Sequence, residues 1–349
     1  MSINSKISVL YCYPAKAIKF YASIQIILFL IILKNGYSQD PCFSQFYANP
    51  LYLNPALAGT NECSRLIFNY RNQWPSLSDN FVTYSASADQ YINAISGGVG
   101  VIFTSDNAGS GTINTTRISA IYSYHLKLSS NSSLNAGFEV TYHHQKLNWD
   151  KLVFSDMIDP VSGAVNPGNS GEKPPENISV SVPDFSTGLL LGIKKKYFIG
   201  IAAHHLAQPS LKYYSNSGEN PLYIKYTLHA GTIINLAGGD YRSENSRFTL
   251  SPNILFQHQQ NTNQLNFGFY IEKFPLIAGI WYRHNISNTD GAIFLIGIKQ
   301  KRFNFGYTYD LTLSKLKGCT GGAHEASLAL LINCEKKRNK PGAIKCPEF

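Results

Sequence analysis

From Ser64 onward the chain alternates apolar and polar side chains with a period of two, and the alternation is renewed many times between clusters of Gly, Asn, Ser, Asp and Lys. Successive residues of a strand point to opposite faces, so this period with one polar face reads as strand rather than helix. In residues 302–313, Phe303, Phe305, Tyr307, Tyr309 and Leu311 share one face, and Asn304, Gly306, Thr308, Asp310 and Thr312 the other. In residues 264–273, Leu265, Phe267, Phe269 and Ile271 oppose Asn266, Gly268, Tyr270 and Glu272. In residues 117–126, Ile118, Ala120, Tyr122, Tyr124 and Leu126 oppose Arg117, Ser119, Ser123 and His125.

Fourteen such segments begin near Ser64, Asn80, Ser96, Gly111, Ser133, Pro183, Tyr197, Tyr223, Ser246, Asn263, Pro275, Gly291, Arg302 and Ala323. The expected fold is all-β, a transmembrane antiparallel barrel of about 14 strands, an even number that returns both ends to the periplasm. Connection lengths support that direction of travel. The fifth and seventh connections, residues 148–182 and 208–222, are the longest and would face outward; the turns at 194–196, 273–274 and 300–301 would face the periplasm. The eighth, 237–245, is a moderately long exception. A soluble β-sandwich would have to protect its sheet edges. The 22 Tyr, 20 Phe and 3 Trp, with only 15% charged residues, favour a lipid-facing wall with aromatic girdles instead.

Ahead of the strands, residues 1–38 carry Lys6, Lys16, Lys19 and Lys34 and no acid, then an apolar run over 20–33 and Gly36-Tyr37-Ser38. This pattern predicts a secretory signal cut after Ser38; the run is short for a spanning helix, and a short N-terminal anchor is the other reading. The signal removes four of nine net positive charges, leaving +5, and the remaining lysines form no nucleic-acid stripe. The expected divisions are signal 1–38, plug segment 39–63, barrel 64–334 and periplasmic tail 335–349.

The plug segment is the most distinctive stretch. Residues 45–61 (QFYANPLYLNPALAGTN) contain Asn49-Pro50 and Asn54-Pro55, and proline both lacks an N–H and biases its predecessor away from helix. Neither a central strand nor an uninterrupted helix fits. Compact turns do, with Gln45, Phe46, Tyr47, Asn49, Pro50, Asn54, Pro55 and Gly59 as the motif. Five cysteines follow the signal, an odd number for an exported chain. Cys42 and Cys63 bracket the plug and are expected to pair, as are Cys334 and Cys346 on the periplasmic side, leaving Cys319 over.

No catalytic constellation stands out. His143 with His144, and His204 with His205, are strand neighbours pointing to opposite faces, so neither pair chelates one metal. His324-Glu325 lacks the second histidine of H-E-x-x-H, since Leu328 occupies its place. Gly97, Gly98 and Gly100 precede no helix and suit close approach within a barrel. No enzyme, cofactor or metal is therefore expected. Arg71 and Gln73, ending the first strand beside Trp74, form either an interior network that bonds the plug or an ordinary interface anchor. Arg283, Asp310, His324 and Glu325 are further candidates for that network.

The opening 39–59 (QDPCFSQFYANPLYLNPALAG) resembles that of the PorP/SprF family. Echoes recur at 69–75 (NYRNQWP), 84–87 (YSAS), 205–209 (HLAQP), 306–310 (GYTYD), 321–325 (GGAHE) and 346–349 (CPEF), so the resemblance spans the mature chain. Cys42 departs from the pattern. The resemblance implies a non-catalytic protein of the bacterial outer membrane in Bacteroidetes, serving type IX secretion or gliding motility. The implied partners are type IX secretion components, the C-terminal domain of an exported cargo or adhesin, and outer-membrane lipid, with no nucleic acid. A plugged transport barrel for small or hydrophobic solutes is the alternative.

Overall fold

The computed structural model describes residues 40–334 except 62, 167, 169, 215–220, 237–247, 286–287, 314–317 and 333. The expected signal, the tail and Cys346 lie outside the described residues. Strands run in chain order as β1 (Ser64–Gln73), β2 (Phe81–Ile92), β3 (Gly97–Ala108), β4 (Ile113–Lys127), β5 (Ser132–Leu147), β6 (Ser179–Ile193) and β7 (Tyr197–His204). They continue as β8 (Lys225–Thr232), β9 (Ile234–Asn235), β10 (Phe248–Gln259), β11 (Thr262–Lys273), β12 (Leu276–Asn285), β13 (Asn288–Lys299), β14 (Phe303–Thr312) and β15 (Ala323–Ile332). Each strand pairs antiparallel with its neighbours, and β15 returns to β1 with Ser64 opposite Ile332 and Gln73 opposite Ala323. The sheet is closed, so no edge is left to template another chain.

Short β9 makes the strand count one more than the alternation suggests. It continues β8 after Ile233, and both pair with β10 in one register, Asn253 with Gly231 and Leu250 with Ile234. The break falls opposite Pro252, whose missing N–H interrupts the ladder. Fourteen staves therefore form the wall. A second difference concerns β6, which starts at Ser179 rather than at Pro183, Lys146 pairing with Ser179. The Phe185 carbonyl accepts from Leu206 on the side away from β5. Pro183 shares that parity and points where the β7 ladder has already ended, so its missing donor costs no strand bond.

Alternation divides the wall into two surfaces. Phe68, Tyr84, Val101, Phe103, Ile118, Tyr142, Ile201, Phe267 and Ile296 lie exposed on the outside, whereas Asn69, Ser85, Thr104, Ser119, Thr141, Asn266 and Thr308 are buried inside. An apolar exterior around a polar interior is the inverse of a soluble barrel and matches lipid outside.

The interior is occupied by the chain's own N-terminal segment. Residues 42–61 are buried apart from Cys42 and Tyr52, which are partly so. Its two Asn-Pro pairs fold as the motif demands. Pro50 opens a helical turn (Pro50–Leu53) and Pro55 another (Pro55–Leu57), the position where a missing N–H is harmless. The Asn54 side chain accepts from the Ala56 N–H at 2.9 Å, capping the second turn. The segment runs the length of the barrel. Cys42 lies beside Gln257 and Gln264, next to the β10–β11 turn, whereas Thr60 leads into β1 at the opposite rim.

Candidate functional site

The contact between this segment and the wall is the most concentrated polar site in the described residues. Its centre is Ser44. The Arg71 guanidinium on β1 donates to the Ser44 hydroxyl oxygen at 2.6 Å and Arg283 on β12 donates to it at 2.9 Å; the hydroxyl itself donates to Asp310 on β14 at 2.8 Å. Arg283 meets Asp310 at 2.6 Å, and Arg71 meets Asp310 at 3.3 Å and Glu325 on β15 at 3.1 Å. Glu325 in turn accepts the backbone N–H of Ser44 at 2.7 Å and of Gln45 at 3.0 Å. Two cations and two carboxylates, all buried, thus balance one another around a single serine. A buried charge is tolerated only when paired and hydrogen-bonded, and each of these four is.

Gln73 joins the group, accepting from Arg71 at 3.3 Å. His324 does not. With Glu325 directed inward its neighbour must face out, and the His324 ring instead meets the Tyr307 hydroxyl at 2.7 Å. Among the expected motif residues, Gln45 donates from its side chain to the Glu325 carbonyl at 3.1 Å and accepts from the Ser327 hydroxyl. Phe46 packs on Trp281 with ring centroids 5.1 Å apart; Tyr47 stands edge-on to Phe198 at 5.7 Å. Asn54 donates to the carbonyls of Leu189 and Ile201 and meets His229 at 3.2 Å. The Gly59 N–H donates to Asp89 at 2.7 Å. Asn49 is buried, and its side chain has no hydrogen-bond partner among the described residues.

Apolar burial adds to this. Removing Phe46, Leu51, Leu53 and Leu57 from water stabilises the docked segment by about 1.5–3 kcal/mol each. The wall makes room with glycine. A β-carbon on Gly98 would overlap the Ala58 carbonyl, and one on Gly137 would overlap the Ala56 nitrogen.

Sequence reasoning passed over a second ion pair, Arg65 with Asp89 at 2.8 Å, which also donates to the Leu57 carbonyl at 3.1 Å. Parity could have found it, since Arg65 shares the inward face with Arg71. It also passed over Ser44, whose residue type carries no signal, and the cation contacts of Tyr52, over whose ring Lys225 and Arg117 lie at 4.8 and 5.6 Å.

The expected disulfides are corrected by the fold. Cys63 is bonded to Cys334, their Cα atoms 4.4 Å apart across a sequence separation of 271. Cys42 is free at the far end of the interior, so neither a Cys42–Cys63 nor a Cys334–Cys346 bridge forms. Barrel closure explains the difference. Ser64 faces Ile332, so the two cysteines flank the same end of the closing seam. Cys319 is free and exposed. No group of three or more His, Cys, Asp or Glu among the described residues could hold a metal ion.

Residues 35–330 match the family described as type IX secretion system membrane protein PorP/SprF. No curated protein sequence matches the chain. Among solved structures, the CymD monoaromatic hydrocarbon channel aligns at 12% identity and TM-score 0.43, covering 81% of this chain and 90% of that one. A Pseudomonas aeruginosa FadL homologue aligns at 12% and 0.41, over 81% and 93%. The Acinetobacter baumannii outer membrane protein Omp33 aligns at 7% and 0.41, over 77% and 98%.

Proposed function

The chain belongs to the PorP/SprF family of type IX secretion system membrane proteins, and from that premise we propose that it is a closed, non-catalytic scaffold that supports secretion or surface attachment of an exported protein. The observation that carries this reading is the occupied interior. Residues 42–61 act as a plug, fixed by the Ser44 cluster near one rim and by Arg65, Asp89 and the Cys63–Cys334 bridge at the other. A lumen so filled and cross-bonded offers the exported protein no passage. The work then falls to the two rims.

Charge distinguishes the rims. The short connections carry exposed Lys127, Lys194, Lys195, Lys196, Lys273, Lys301 and Arg302, against Glu272, which pairs with Lys299. Among the described residues, the connections at the opposite rim carry Asp79, Asp150, Asp156, Asp159, Glu172 and Glu176 against Lys151, Lys173 and Lys212. With the long loops outward, the basic rim faces the periplasm and suits acidic surfaces of secretion components, and the long fifth and seventh connections hold the exported protein's C-terminal domain. Signal cleavage after Ser38 and a periplasmic tail at 335–349 belong to the same proposal.

Affinity capture of the tagged full-length protein from detergent-solubilised outer membranes tests the reading, with captured proteins identified by mass spectrometry. Type IX components or a large exported protein should be enriched. Capture of the barrel alone, under conditions that keep other envelope complexes intact, would overturn it in favour of the plugged transport barrel.

A further inference from the structure

One recess on the outer surface of the wall belongs to none of this. It is an open hollow of about 480 Å³ at the rim of the long connections, lined by Asn80, Val82, Tyr84, Asn107, Asn114 and Lys151, with Ser110 and Gly111 behind. Strand parity fixes its direction. Thr83 and Arg117 face the interior, so Val82, Tyr84, Asn107 and Asn114 face out, toward the surrounding membrane. Lys151 reaches over from the helical turn Trp149–Lys151 and is held there by donating to the Ser110 carbonyl at 2.7 Å.

Its polar atoms converge. A β-carbon on Gly111 would stand 3.1 Å from the Lys151 nitrogen and 3.4 Å from the Asn114 side-chain oxygen, so both border one spot that glycine leaves clear. That Asn114 oxygen is withdrawn from solvent and has no hydrogen-bond partner among the described residues. Below the hollow, exposed Tyr84, Val101, Phe103 and Ile118 continue the apolar wall. The site therefore presents the Asn107 carboxamide, the Lys151 ammonium and the Tyr84 ring, directly above a surface for acyl chains, while Asn80 donates to Asn72 and the Ser110 hydroxyl donates to the Ser78 carbonyl behind them.

We propose that this recess binds the phosphorylated sugar headgroup of an outer-leaflet glycolipid. Carboxamides both donate and accept, as sugar hydroxyls do, while the ammonium meets a phosphate as a point charge. The volume lies in the range of sites for small ligands. Continuity with the lipid-facing wall favours a lipid over a peptide. The proposal rests on the orientation given above, with the long connections outside.

The test uses the full-length protein in detergent micelles, titrated with lipopolysaccharide, with its deacylated glycan, with a phospholipid and with inorganic phosphate. Wild type should bind lipopolysaccharide best. Lys151→Gln should weaken that binding roughly tenfold or more, the loss of one charge-assisted contact, and Asn107→Leu should weaken it separately. Heat-modifiable migration identifies variants that fold. Equal binding by wild type and the folded double variant overturns the proposal, as does tighter binding of a peptide from an exported C-terminal domain. Equal affinity for inorganic phosphate reduces the recess to an anion site and also overturns it. An epitope inserted at Gly163, in the fifth connection, is read on intact cells. Surface detection with no glycolipid binding refutes the recess alone; absence of surface detection refutes the orientation.

Discussion

Gly137 and Ala56 lie backbone against backbone, so that a β-carbon on Gly137 would stand 2.7 Å from the Ala56 Cα and closer still to its nitrogen. The contact joins β5 to the second turn of the plug segment, and Asn135, two residues along the same face, donates to the Ala56 carbonyl at 3.3 Å. Two backbones meet here only because one residue has no side chain. Gly137→Val should leave the wall ladder intact, since valine is a good strand residue, while the plug is displaced. The cost of docking should rise by about 1–3 kcal/mol, as for overpacking generally. Limited proteolysis within residues 43–60 would report it: cleavage rises in the variant and the barrel remains heat-modifiable.

The Ser44 cluster makes an unequal pair of substitutions informative. Asp310→Ala leaves Arg71 and Arg283 with Glu325 as the single carboxylate of the cluster, an uncompensated buried charge. Breaking such a pair from one side costs about 3–5 kcal/mol. Adding Arg283→Met should recover part of the loss, so the double variant is more stable than Asp310→Ala alone. Denaturant midpoints of the four proteins, measured by gel mobility, give the coupling. A double variant less stable than both single ones would show that the charges do not act as a unit.

Much of this was legible beforehand because the relevant code is local. Alternation over 302–313 needs no partner to be read, and it places Phe303 to Leu311 outside and Asn304 to Asp310 inside. The two Asn-Pro pairs likewise dictate turns without reference to the wall. What failed was whatever depended on closure or register. Cys63 meets Cys334 only because β15 returns to β1, and Pro252 splits β8 from β9 only through its position opposite Thr232. His324 falls outside the network for a different reason: it and Glu325 are adjacent on β15 and point to opposite faces, and Glu325 holds the inward one.

Peptide mapping without reductant should recover one fragment pair linking Cys63 to Cys334. Cys319, exposed in the folded protein, should react with an alkylating reagent well before the partly buried Cys42. Cys63→Ser removes a closure of about 270 residues and should cost about 2–4 kcal/mol. A Cys42–Cys63 fragment pair would contradict the closing seam described above.

The fifth connection carries a pH-sensitive turn. Backbone N–H groups of Ser162 and Val161 donate to the Asp159 carboxylate at 2.7 and 2.9 Å and hold its pKa below the ordinary aspartate range. A carboxylate depressed on folding stabilises the turn above its unfolded pKa, about 3.9, and the effect is lost as pH falls through the folded value. Pepsin cleavage near residues 160–164 should therefore rise as pH is taken down through that lower value. In Asp159→Ala it should be high already at pH values where the wild type resists; a variant cut no faster than wild type would show that the side chain does not order the turn.

Deleting residues 43–60 tests closure most directly. The wall should survive, because the β1–β15 ladder and the Cys63–Cys334 bridge lie outside the deletion. The exposed interior would then present Asn69, Ser85, Ser119, Thr141, Thr227 and Thr308, a polar lining that wets readily. In planar bilayers the intact protein should conduct no ions and the deletion variant should form open channels. Equal, substantial conductance from both would mean that the segment leaves the interior in a membrane, and the closed-scaffold reading would give way to a hatch that opens. Silence from both, with the variant correctly folded, would place the seal in the long outer connections instead.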